Sequence, residues 1–163
     1  MTNSYLLTKK RALKAIEIVS ASFTRAIELG ESERTSVHIV VMDPAKQPEF
    51  GYAFEESILC ESSIGENSEK YIPIARAKAR FTWLYKIPSQ VGQQLYPHLF
   101  TEGMTKYGGS AYLHHITVGT SGVDYQMDQW VSEMVACTCR ALCVGEMIDI
   151  FNSEIKFFGI ETT

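Results

Sequence analysis

Residues Gly108 to Asp128 read GGSAYLHHITVGTSGVDYQMD. A glycine pair leads into an alternating, β-branched run, Ala111 to Val118, which has the pattern of a strand. The run breaks at Gly119-Thr120-Ser121-Gly122 and restarts as a helix at Asp124. A strand that turns through glycines onto a helix N-terminus directs several backbone N–H groups at one spot. The expected occupant is an anion such as a carboxylate or phosphate. An ordinary strand-to-helix turn, capped by Ser121 or Asp124, is the competing reading.

The remaining elements flank this stretch. Thr8 is placed as an N-cap and Gly30 as a C-terminal glycine. Between them Ala12, Ile16, Val19, Phe23 and Ile27 share one side of a helical wheel. Ser36 to Met42 is apolar on both faces and reads as a central strand, ended by Asp43-Pro44. Glu49 to Leu59 alternates Phe50, Tyr52 and Phe54 with smaller residues, which predicts a second strand hairpin-paired to the first. Cys60 to Lys70 is polar and serine-rich, hence a loop. A helix follows from Pro73 to about Lys86, with Ile74, Ala77, Phe81, Leu84 and Tyr85 as its inner stripe. Ser89 to Leu95 is a short helix. From Asp124 the stripe Met127, Trp130, Val131, Met134, Val135, Thr138, Ala141 and Leu142 marks a long helix that extends towards Phe151. The apolar tail Phe157-Phe158-Gly159-Ile160 is expected to dock on the domain or on a neighbour. This order describes one α/β (α+β) domain spanning 1–163, a single sheet covered by amphipathic helices, with a short tail from about 150.

Two residues in the middle helix break its pattern. Lys78 falls inside the apolar stripe, so it must snorkel, pair with an acid, or face a pocket. Trp83 falls on the outer side, which suggests a second layer or a subunit contact.

Bulk properties narrow the function. The chain has 163 residues and a net charge of -4, which argues against a nucleic-acid partner. No apolar run is long enough to span a membrane, and the N-terminus lacks the pattern of a signal peptide, so a cytoplasmic location is expected. Cys60, Cys137, Cys139 and Cys143 form no C-x-x-C and read as small semi-buried residues.

Standard catalytic motifs are missing, so candidate site residues come singly. The four histidines are His38 in the central strand, His98 in a loop, and the adjacent His114 and His115, whose rings would take opposite faces of a strand. Glu66 and Glu69 form an E-x-x-E that could share a metal, with a solvated acidic loop as the alternative. In an enzyme, Lys78 or Asp43 would polarise or deprotonate a substrate, assisted by a histidine such as His115 and by the 119–122 amides. Such an enzyme would be a cofactor-independent isomerase, cyclase or lyase.

Four features together resemble the GlcG/HbpS-like family, which includes haem-binding and haem-degrading proteins and the C-terminal domain of PduO-type proteins. They are the V-x-[IV]-V-V-x-D strand at Val37 to Asp43, the I-A-R-A-K-A-R segment at Ile74 to Arg80, the pair Gly108-Gly109, and the V-G-x-S-G run from Val118 to Asp128. The resemblance implies a small domain with an antiparallel sheet, a homo-oligomer from dimer to octamer, and a small anionic ligand. That ligand could be haem, with His38, His98 or His114 near the iron and Lys78 against a propionate. Two features depart from the family pattern. D-x-G-G is replaced by Asp43-Pro44-Ala45-Lys46, and Ser110 to Val118 is so short that a family hairpin is expected to be trimmed or lost.

Overall fold

The computed structural model describes residues 3–159. Helix α1 (Lys9–Glu28) is followed by strands β1 (Val37–Met42) and β2 (Ile58–Ile64), helices α2 (Ile72–Tyr85) and α3 (Ser89–Leu95), strands β3 (Ser110–Leu113) and β4 (Ile116–Ser121), and helix α4 (Tyr125–Phe151). The four strands form one antiparallel sheet in the order β2-β1-β4-β3. The α+β architecture read from the sequence is therefore the observed one.

Alternation along β1 builds three layers. Val37, Ile39 and Val41 face α1 and α4, joining Ala12, Ile16, Val19, Phe23, Val131 and Val135 in the larger core. Val40 and Met42 face α2 and pack with Ala75, Ala79 and Trp83. Because both faces are covered, β1 is buried at every position, which explains its unbroken apolar run. A Cβ on Gly119 would lie 2.5 Å from the Ala75 carbonyl oxygen. The missing side chain, with Ala75 and Ala79 opposite, is what lets α2 lie so close to β4.

Several expectations are corrected. The Glu49–Leu59 segment is not a strand: it holds two single 3-10 turns, Pro48–Phe50 and Glu55–Ser57, with Gly51 left-handed between them. The partner of β1 is the polar stretch Ile58–Ile64, expected to be mostly loop. It is an edge strand, and polar residues such as Glu61 and Ser63 suit a strand with one side open to water. Trp83 is buried at 3% exposure, and its Nε1 donates to the Lys46 carbonyl at 2.8 Å. The second layer over it is the chain's own 43–57 segment, with Phe54 meeting its ring edge-on at 5.8 Å. The buried face of α2 is Ala75, Lys78, Ala79 and Thr82, rotated from the Ile74–Leu84 stripe.

A hairpin is present between Gly108-Gly109 and Ser121-Gly122, so this region is not lost. Ser110 to Ser121 holds two strands joined by His114-His115, both at positive φ (46° and 70°). That is the backbone of a two-residue hairpin turn in which Asn-Gly or Asp-Gly is usual. The two histidines therefore occupy a turn rather than opposite faces of a strand.

Helix α4 is capped by Asp124, whose carboxylate accepts from Met127 N–H at 2.9 Å. In the tail, Phe158 stacks on Tyr5 at 5.2 Å, while Phe157 is exposed and Ile160 lies outside the described residues. Among the described residues no helix is long and apolar enough to cross a membrane.

Candidate functional site

Lys78, on α2, meets Asp128 of α4 beside the Thr120 carbonyl of β4. Its side chain is 1% exposed. The Nζ donates to Asp128 Oδ2 at 2.7 Å and to the Thr120 carbonyl at 2.8 Å. Asp128 is 3% exposed, and its second oxygen accepts from Val123 N–H at 3.1 Å. One ion pair thus joins the two helical layers through the backbone of β4. Of the three readings open to a lysine in an apolar stripe, the structure combines an acid partner with a pocket wall.

The pocket is a cavity of about 240 Å³. Lys78, Asp128, Ser121 and Gly122 contribute to its walls, with Arg34 and Tyr71, Tyr107 and Tyr125 around them. Arg34 is exposed, and its guanidinium has no partner among the described residues. Gly108 also lines the cavity, and Gly109 follows it beside the ion pair. Gly109 has φ +121°, and a Cβ there would stand 2.5 Å from Asp128 Cβ and 3.1 Å from Lys78 Nζ.

Neighbouring polar groups fix this turn. Gln90 Oε1 accepts from Gly109 N–H (3.1 Å) and Ser110 N–H (3.3 Å), and Gln90 Nε2 donates to the Ser110 carbonyl at 3.2 Å. The Ser132 hydroxyl bridges the Gly109 carbonyl (3.0 Å) and the Thr120 hydroxyl (2.8 Å). Every buried side-chain polar atom has at least one partner among the described residues.

Burial dominates the titration of the pair. It pushes the Asp128 carboxyl up to about 6, against the pull of the Lys78 ammonium and the Val123 N–H. It pulls Lys78 down, against the opposing effect of Asp128. Both groups are drawn towards their neutral forms, and the carboxylate becomes available for proton exchange near neutral pH.

The sequence-derived candidates divide clearly. Lys78, Ser121 and Gly122 line one cavity. The ring of free amides does not form, because Gly119, Thr120 and Ser121 continue β4 and are hydrogen-bonded into the sheet. Thr120 offers Lys78 a carbonyl instead, and the Val123 amide already holds an anion, Asp128. Asp43 is buried at the other end of β1, roughly 15 Å along the strand from His38, the residue paired with Ser121. There its Oδ1 accepts from Ser4 N–H (3.2 Å) and Ala45 N–H (2.9 Å), a turn-holding role.

None of the four histidines lines the cavity. His38 sits between Ser63 Oγ (2.9 Å) and Glu61 Oε1 (3.1 Å), and Glu61 is gripped by both arms of Arg76 at 2.7 and 2.6 Å. His98 lies in the Pro97–Leu99 turn, and His115 contacts the Tyr112 hydroxyl at 3.2 Å. Glu66 lies in a loop and Glu69 in the turn Glu69–Tyr71; among the described residues no group of three His, Cys, Asp or Glu could hold a metal. Cys60 and Cys139 are buried, and desolvation raises their thiols to about 11 and about 12, which makes them inert packing groups.

Asp128 was not picked out as a site residue, although the sequence carried a signal for it. It shares the inner face of α4 with Val131 and Val135, a carboxylate in an apolar stripe that mirrors the lysine in the stripe of α2.

No family model matches the chain, and no curated protein does. Solved structures similar to this chain include two of low sequence identity. The Klebsiella pneumoniae protein ORFY, of DUF336, aligns with a TM-score of 0.56 and 15% identity over 86% of this chain and 93% of its own. PduOC in its haem complex aligns with a TM-score of 0.51 and 17% identity over 78% of this chain and 91% of its own. At these identities the likeness speaks for the fold: this chain carries the GlcG/HbpS-like fold that its sequence motifs resemble.

Proposed function

We propose that the protein binds a small anionic molecule in the cavity beside Lys78 and Asp128. The observation that carries this reading is the exposed, unpartnered Arg34 guanidinium at a cavity that also holds a buried lysine. Three tyrosines supply flat apolar walls with polar tips, a lining that suits a compact ligand with one charged end. Haem, present in one structural neighbour, does not fit this cavity. No described histidine lines it, and about 240 Å³ falls below the roughly 300–1,000 Å³ of sites that hold drug-sized ligands. Another cleft, of about 460 Å³ between α2 and Thr101–Met104, has no histidine in its walls either.

Calorimetric titration with lactate, malonate and inorganic phosphate tests the proposal. At least one should bind, and Arg34→Glu should weaken that binding by about tenfold or more, close to 1.4 kcal/mol. Heats identical in wild type and variant for all three would overturn it.

Self-association belongs to the same reading. Val144, Met147, Ile148 and Phe151 recur at helical spacing along α4 and are 41–85% exposed. An apolar stripe of this kind fits a second copy of the chain. Light scattering should show a mass above the monomer that falls when Phe151 and Ile148 are both changed to Glu. A wild-type monomer at every concentration would dismiss the oligomer.

A further inference from the structure

We propose that Lys78 is a nucleophile that forms an imine with a small ligand carrying a carbonyl beside a carboxylate, a 2-oxo acid or an aldehydo acid. This rests on the reading of the cavity as an anion site and assigns it a chemistry.

Geometry provides the argument. Lys78 lies inside the fold yet is one of the residues that line the cavity. Two of the three hydrogens on its Nζ go to Asp128 and Thr120, and the third has no acceptor among the described residues. Beside the nitrogen stands Gly109, where a Cβ would come within 3.1 Å; the approach is kept clear of any side chain. Arg34 is placed to take the ligand's carboxylate. The acid–base partner is already in contact, since Asp128 Oδ2 is 2.7 Å from the nitrogen. Burial favours the neutral amine, the form that attacks.

The step balances without an oxidant or metal. Asp128 takes a proton from the Lys78 ammonium, and the free amine adds to the carbonyl carbon. The resulting alkoxide recovers that proton from Asp128 and becomes a hydroxyl. Asp128 then removes a second proton from the nitrogen and delivers it to the hydroxyl, which leaves as water while the nitrogen lone pair forms the C=N bond. The product is a protonated imine, and its positive charge faces the same carboxylate that faced the ammonium.

The test is reductive trapping. Wild-type protein is incubated with pyruvate and sodium cyanoborohydride, then digested and mapped by mass spectrometry. The expected result is one 1-carboxyethyl group per chain on the peptide holding Lys78, formed at least about tenfold faster than on exposed lysines such as Lys14 and Lys156, and lost in Lys78→Arg. The wild-type map decides the matter even if the variant fails to fold, because the exposed lysines are internal controls. Labelling at exposed lysines alone overturns the proposal. Lactate, which lacks the carbonyl, separates the two levels. Arg34-dependent lactate binding without an adduct removes only the imine, whereas neither binding nor adduct removes the anion site as well.

Discussion

Lys78→Met will lower the stability of the domain by roughly 3–5 kcal/mol, because it strands the Asp128 carboxylate in the interior. In a chain of this size that corresponds to a fall of roughly ten degrees or more in Tm. The double change Lys78→Met with Asp128→Leu should recover most of the loss, since two apolar groups of similar volume need no partner. Thermal and urea unfolding of the two single variants and the double variant measure the coupling directly. A double variant no more stable than the singles would show that the pair is not the tie between the layers. The pH dependence gives a second handle. Asp128 has a raised carboxyl, from 3.8 to about 6, so its contribution is fully present below the unfolded value and is lost as pH rises through about 6. The stability advantage of wild type over Asp128→Asn should therefore narrow between about pH 4 and pH 6. An advantage that widens over that window would mean the ionised pair is the more stabilising form.

Gly109→Ala is the second large effect. The added methyl would lie 2.5 Å from Asp128 Cβ, at a φ of +121° that side chains rarely adopt. Overpacking costs roughly 1–3 kcal/mol and the backbone strain a similar amount, so a total of about 2–6 kcal/mol is expected. Ligand binding should fall further than stability alone explains, because the methyl intrudes beside Lys78 Nζ. Lactate titration of the folded variant below its Tm checks this, and unchanged affinity would separate Gly109 from the site.

What the sequence revealed follows from how local each signal is. The helices α1, α2 and α4 and the strand β1 were legible as elements because each carries apolar residues over many positions, although the face that α2 buries is turned from the stripe read for it. β2 was not, because an edge strand can carry Glu61 and Ser63 without penalty and then looks like a loop. The hairpin was hidden because His114-His115 takes a backbone usually signalled by glycine or asparagine. Trp83 pointed to a second layer or a subunit contact without deciding between them, because its cover, the 43–57 segment, has no regular period to read. At the site, Lys78 stood out as a charge in an apolar stripe, and Asp128 carried the same anomaly on α4. That the two meet depends on the sheet between them, which no local pattern records. The histidines misled through chemistry alone, since residue type says nothing about convergence.

The walls of the cavity come from segments dozens of residues apart in the chain, with Lys78 and Asp128 themselves separated by 50 positions. Such a pocket has no meaning in any fragment, because closing those loops is entropically unfavourable until the sheet and both helical layers are in place. Occupancy is then linked to the cooperative transition of the entire domain, and a ligand that binds there will slow amide exchange in the deepest strands as well as beside itself.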